Sequence, residues 1–137
     1  MILPILLAVT GGVVYHTAAK SIPKDLAPGL VLTVAYAVAL AISVAAYIAL
    51  PLGGDATPRR LAHPAVLALG LGAAIIELGY VLTYRAAWPI STASVIVNGL
   101  VAALLIPVGL LVFHEGMSVR RTAGITLCIA GLWLLRR

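Results

Sequence analysis

Glu77 is a carboxylate within one of the most apolar stretches of the chain, IIELGYVLTY at residues 75–84. An ionised carboxylate is costly inside a bilayer, so such residues usually face a helix bundle or an aqueous cavity. Helical spacing places Tyr80 and Tyr84 on the same face as Glu77. Because aromatic rings can hold a cation beside a negative charge, we expect Glu77 to exchange a proton for a cationic substrate.

A purely structural role for Glu77 is the alternative. A protonated Glu77 would then hydrogen-bond Asn98, Tyr80 or His16 and only join helices. His16 is a second titratable candidate, because imidazole changes charge near physiological pH. It lies four residues before Lys20, so its alternative role is to reach towards the membrane interface. On the side of the membrane where Lys20 is predicted to lie, three of these residues fall between the surface and the midplane: His16, Glu77 and Asn98. Their depths are therefore compatible with one shared site.

Other predicted spans carry polar groups that are candidates for the same cavity. Ser91, Ser94 and Asn98 follow i, i+3 and i+7 spacing on an otherwise apolar helix, and Tyr36 begins a similar series in the second span. The alternative for such series is interhelical hydrogen bonding. Trp88 lies near a predicted helix end, where it would anchor at the interface or gate the cavity mouth.

The elements that position these residues are predicted to be membrane-spanning helices. The chain has 137 residues, of which 63% are hydrophobic and 9% charged, a composition that excludes an ordinary water-soluble domain. A span needs roughly 20 apolar residues, and turns rich in Pro, Gly and charge divide the chain accordingly. We predict an all-α integral membrane fold, one domain over residues 1–137, with five spans, the first retained rather than cleaved. The spans are predicted at about 2–20, 28–51, 64–84, 90–113 and 119–135.

The last predicted helix is rich in small residues, which favour close helix approach. Gly124, Cys128 and Gly131 are predicted to help two subunits pack. Tyr15, near the end of the first span, is expected to be an anchor in the interfacial aromatic belt.

Basic residues are divided almost evenly between the two sides of the predicted topology, although their bias normally sets orientation. Five fall on one side (Lys20, Lys24, Arg85, Arg136, Arg137) and four on the other (Arg59, Arg60, Arg120, Arg121). The balance is either chance or a sign that the chain inserts both ways round and pairs with an inverted copy, since many transporters are built from inverted repeats.

Residues 88–135 resemble the end of an EamA-type repeat of the drug/metabolite transporter superfamily. The matching features are an apolar helix with Pro107, the turn with Phe113 and Glu115, and a last helix with Gly124 and Gly131. The first two predicted helices, with Lys20 closing the first, also resemble that repeat. The chain is more distantly similar to the small multidrug resistance proteins, from which it departs by a fifth span and by lacking an acidic residue in the first helix.

The resemblance implies a half-size carrier that an inverted second copy completes. We expect an antiparallel homodimer in the bilayer that exports a small cationic or amphipathic metabolite by proton-coupled alternating access. The expected location is a prokaryotic cytoplasmic (inner) membrane, as a multi-pass protein. The alternatives are a flippase of lipid-linked sugars and a non-transporting structural or accessory membrane subunit.

Other function classes lack sequence support. We expect no enzymatic activity, no cofactor and no metal site, because the sequence has no nucleophile elbow, metal-ligand cluster or paired acid/base spacing. The net charge of +5 arises from residues at predicted helix ends, so we expect no nucleic-acid partner.

Overall fold

The computed structural model describes residues 2–50, 53–54, 57–116 and 118–134, and over these residues it is helical with no strand. The long helices are α1 (Leu3–Ser21), α2 (Pro28–Ala49), α4 (Pro64–Arg85) and α5 (Ile90–Leu111), followed by the shorter α6 (Val119–Leu134). A single helical turn, α3 (Pro58–Leu61), precedes α4. An all-α fold is therefore confirmed.

Proline defines where several of these helices begin. Pro4, Pro28 and Pro64 each lie in the first turn of α1, α2 and α4, where a missing N–H costs nothing because that group has no helical acceptor. Pro107 lies inside α5 and removes one helical hydrogen bond there. The predicted helix starts thus agree with the structure to within one residue.

Four of the five predicted spans are confirmed as helices long and apolar enough to cross a membrane: α1, α2, α4 and α5. Helix α6 has 16 described residues, which at 1.5 Å per residue extend about 24 Å, less than the roughly 30 Å hydrocarbon core. Residue 135, the predicted end of this span, lies outside the described residues. The fifth span therefore stays a prediction.

The helices bury few side chains against one another. The described core consists of Ala19, Tyr80, Val81, Tyr84 and Ala93, whereas most leucine, isoleucine and valine side chains are exposed. Such a surface is stable when the surrounding solvent is hydrocarbon rather than water.

Hydroxyl groups on the helices mostly bond within their own helix, which removes their polar groups from the apolar surroundings. Side chains that donate to the carbonyl four residues earlier include Thr10, Thr17, Ser21, Thr33, Ser43, Thr83, Thr122 and Thr126.

The chain forms two compact units, residues 1–86 and residues 87–137. In the first unit α4 packs against both α1 and α2, and in the second α5 packs against α6. The candidate residues on α1, α2 and α4 belong to the first unit, and those on α5 and α6 belong to the second.

Candidate substrate site

The first unit places aromatic and titratable side chains of α1 and α4 in one cluster. We call Tyr15, His16, Tyr80 and Tyr84 the aromatic cluster. The His16 ring lies edge-on to the Tyr80 ring with centroids 4.6 Å apart, and the Tyr15 and Tyr80 centroids are 5.8 Å apart. Edge-to-face contacts of this kind are worth about 0.5–1.5 kcal/mol beyond the area that they bury. The cluster therefore fixes α1 against α4.

Helical spacing explains why α4 can supply two members of the cluster. Tyr80 and Tyr84 are four residues apart, so their rings lie on one face, with centroids 5.9 Å apart. Both side chains are buried, with 5% and 3% of their surface exposed. The predicted α4 face that joins Glu77 to the two tyrosines is thus the face that packs in this unit.

His16 contacts the other rings of the aromatic cluster. Its Nδ1 lies 3.0 Å from the Tyr84 hydroxyl, and the ring is half-buried. The direction of the hydrogen bond depends on the imidazole tautomer. His16 therefore takes part in a contact between α1 and α4, and both of its predicted roles, as a titratable site residue and at the membrane interface, stay predictions.

Glu77 is half-buried one helical turn before Tyr80. It interacts electrostatically with the phenols of Tyr36 on α2 and Tyr15 on α1. Glu77 on α4 therefore lies where the three long helices of the unit approach one another. Tyr36, predicted from its place in α2, belongs to these surroundings.

The Tyr36 hydroxyl donates a hydrogen bond to the Glu77 carboxylate. Two other phenol hydroxyls, those of Tyr15 and Tyr80, are buried and have no hydrogen-bond partner among the described residues. A buried polar group normally has a partner, because leaving one unpaired costs about 1–3 kcal/mol. These hydroxyls are the polar groups that a bound solute would satisfy.

Two cations lie at the end of this site nearest the α1–α2 turn. The Lys20 ammonium nitrogen is 5.7 Å from the Tyr84 ring centroid, within the range of a cation–π contact. The Arg85 guanidinium donates to the carbonyl oxygen of Lys24 at 2.6 Å and also to that of Leu26. These hydrogen bonds join Arg85 to the turn that connects α1 and α2.

Tyr15 and Lys20 were not among the predicted site residues. The Tyr15 ring packs on His16 and Tyr80, and its predicted place in the interfacial belt stays a prediction. The available signal was that Tyr15 adjoins His16, a residue already considered for the site. Lys20 follows His16 by four residues, which places both side chains on one face of α1. This spacing could have indicated that Lys20 lies near the site.

The remaining predicted site residues belong to the second unit. Ser94 is half-buried, and its hydroxyl donates to the carbonyl of Ile90 at 2.8 Å, within α5 itself. Ser91 and Asn98 are exposed on α5, and Trp88, in the turn before it, is 47% exposed. The predicted convergence of these residues with Glu77 stays a prediction, as does the gating role of Trp88.

Helices α5 and α6 enclose a cleft of about 490 Å³. Gly124 and Cys128 line it from α6. All three residues predicted for dimer packing, Gly124, Cys128 and Gly131, are exposed. Their role in a dimer stays a prediction.

Comparison with protein-family models, curated proteins and solved structures finds no match to this chain. The resemblance to an EamA-type repeat therefore stays a prediction. The described residues contain no group of three or more His, Cys, Asp or Glu side chains arranged to hold a metal ion.

Proposed function

We propose that the protein is a secondary transporter of the drug/metabolite type that exports a small cationic or amphipathic metabolite in exchange for protons. In this proposal Glu77 carries the proton and the substrate in turn. The described residues support it through four apolar helices long enough to cross a membrane and through the polar groups that surround Glu77 in the first of the two units.

The observation that carries the proposal is the pair of unpartnered hydroxyls of Tyr15 and Tyr80 in the aromatic cluster, together with the Glu77 carboxylate that interacts with Tyr15 and Tyr36. A site that only joined helices would be expected to pair such groups with one another. Three phenols and one carboxylate supply aromatic faces, hydrogen-bonding oxygens and a negative charge. A cation with apolar substituents can use all three.

The proposed coupling of substrate to protons follows from the cost of an unneutralised charge in an apolar environment. A charged Glu77 without a partner is costly in the membrane, so either a proton or a cationic substrate must neutralise it. Occupation by one excludes the other, because both neutralise the same carboxylate. Release of a cation to one side and a proton to the other then gives exchange by alternating access.

The proposal includes an inverted partner copy in a prokaryotic cytoplasmic membrane. Transporters commonly place the substrate site between two inverted repeats near the bilayer midplane. The resemblance to one EamA-type repeat and the near-balance of basic residues support pairing of this chain with an inverted copy of itself.

The test is transport of tetraethylammonium by the full-length protein in proteoliposomes. This probe is permanently charged and cannot carry a proton itself. With an acidic interior and the membrane potential clamped at zero, we expect the native protein to accumulate it. Glu77→Gln is expected to reduce the initial rate at least about tenfold, equivalent to losing ~1.4 kcal/mol.

Asp25→Asn is the matched control, because it also neutralises a carboxylate, in the exposed α1–α2 turn. It is expected to retain native transport. Equal transport by Glu77→Gln and the native protein, with the same dependence on the pH gradient, would rule out the role proposed for Glu77.

A further inference from the structure

The cleft between α5 and α6 differs chemically along its length. Its polar end holds Glu115 and Gly116, from the turn that follows α5, and Arg120, from the start of α6. Most of the remaining lining is aliphatic or small (Gly99, Ala102, Ala103, Leu105, Ile106, Leu110, Gly124, Ile125, Cys128 and Ile129). A ligand that fills this cleft must therefore have a headgroup and an apolar body.

The length of the cleft corresponds to one leaflet of a bilayer. Along α5 it runs from Gly99, close to the middle of the helix, to Leu110, at its end. These 11 residue steps at 1.5 Å each extend about 16 Å, close to half of the roughly 30 Å hydrocarbon core. A helix from a second copy would instead need a groove along the full length of α5.

The Glu115 carboxylate is placed at the polar end by a close approach to Gly109. A Cβ at Gly109 would lie 3.2 Å from Glu115 Oε2, a tight contact that glycine avoids. The Glu115 N–H also donates to the Gly109 carbonyl at 2.9 Å. Glu115 is therefore held against the end of α5, where it lines the same cleft as Arg120.

We propose that this cleft binds one membrane phospholipid whose headgroup carries both a phosphate and an amine. Arg120 binds the phosphate, because guanidinium groups pair well with phosphate oxygens. Glu115 binds the ammonium group, and one acyl chain lies along the apolar lining towards the bilayer midplane. The cleft volume of about 490 Å³ is within the usual range for ligand sites, roughly 300–1,000 Å³.

Native mass spectrometry of the purified full-length protein tests this proposal. The protein is incubated with equal amounts of dioleoyl phosphatidylethanolamine and dioleoyl phosphatidylglycerol, which share acyl chains and phosphate but differ in the amine. We expect one phosphatidylethanolamine per chain to be retained, with about a fivefold preference, the upper range for an ion pair with an exposed side chain such as Glu115.

Charge variants separate the two headgroup contacts. Glu115→Gln is expected to bring the preference for phosphatidylethanolamine close to one without loss of total lipid retention. Arg120→Gln is expected to lower retention of both lipids. Equal retention of the two lipids by the native protein, or an unchanged preference in Glu115→Gln, would overturn the proposal.

A cleft-filling variant tests whether the apolar part of the cleft holds the acyl chain of the lipid. Ala103→Trp places a large side chain in the cleft and is expected to lower retention of both lipids severalfold. Leu104→Trp is the control, because Leu104 is 70% exposed and lies outside the set of residues that line the cleft. If Ala103→Trp weakened a dimer but left lipid retention unchanged, the cleft would belong to a second copy of the chain and the lipid proposal would be wrong.

Discussion

At the scale of single residues, the most specific contact in the first unit joins α1 and α4 through His16 and Tyr84. The Tyr84 ring stacks on Tyr80, and its hydroxyl lies 3.0 Å from His16 Nδ1. The ring and the hydroxyl therefore contribute separately to packing and to hydrogen bonding. A substitution that keeps the ring isolates the hydrogen bond.

Tyr84→Phe is expected to destabilise the protein by about 0.6–1 kcal/mol, the usual contribution of an interhelical hydrogen bond in a membrane protein. The measurement is the midpoint of thermal unfolding in detergent. Tyr47→Phe is the control, because Tyr47 is 75% exposed on α2. Equal midpoints for the two variants would contradict the role of the His16 contact.

Sequence patterns identified part of this residue-scale arrangement. Glu77 stood out because a carboxylate is rare in an apolar span, and Tyr80 and Tyr84 followed from helical spacing. Tyr15 was not predicted as a member of the cluster, because α1 is apolar on most sides and its sequence gives little indication of which face packs. Only the partner helix determines that face.

At the scale of elements, Arg85 connects the end of α4 to the turn between α1 and α2. Its guanidinium donates to the carbonyl oxygens of Lys24 and Leu26. Hydrogen bonds from a charged donor are worth about 1.5–3 kcal/mol. The turn should therefore be held in one conformation, which keeps the ends of three helices together at the cation-bearing end of the site.

Arg85→Gln is expected to speed amide hydrogen exchange at residues 24–27 by about tenfold, equivalent to losing ~1.4 kcal/mol of local stability. Lys24→Gln is the matched control, because it removes a positive charge from the same turn but keeps the main-chain carbonyl that accepts from Arg85. Unchanged exchange in Arg85→Gln, or equal acceleration in Lys24→Gln, would show that Arg85 does not hold the turn.

The helix boundaries were more predictable than the contacts between helices. Proline, glycine and charge marked the starts of α2, α4 and α5, and the structure begins all three at the predicted residue. The contact from Arg85 to two carbonyls could not be predicted, because carbonyl acceptors belong to every residue and leave no signature in the sequence. The same holds for the α5–α6 cleft, which depends on how two helices separate rather than on either helix alone.

At the scale of the whole molecule, pairing with an inverted copy accounts for two features together. The basic residues divide five to four between the two sides of the predicted topology, so charge gives little preference for one orientation. The predicted similarity to a single EamA-type repeat agrees with such pairing, because the proposed transport site would lie between two opposed repeats. Pairing with an inverted copy requires that the same chain insert in both orientations.

Single-cysteine labelling from each side of the membrane tests this requirement most directly. In a Cys128→Ala background, Asp25→Cys places one thiol in the exposed α1–α2 turn. If the chain inserts in both orientations, a membrane-impermeant maleimide added outside intact cells labels one fraction of the protein, and the remainder is labelled only after the membrane is opened. Labelling of the whole population from one side alone would contradict the inverted pair and the transport mechanism built on it.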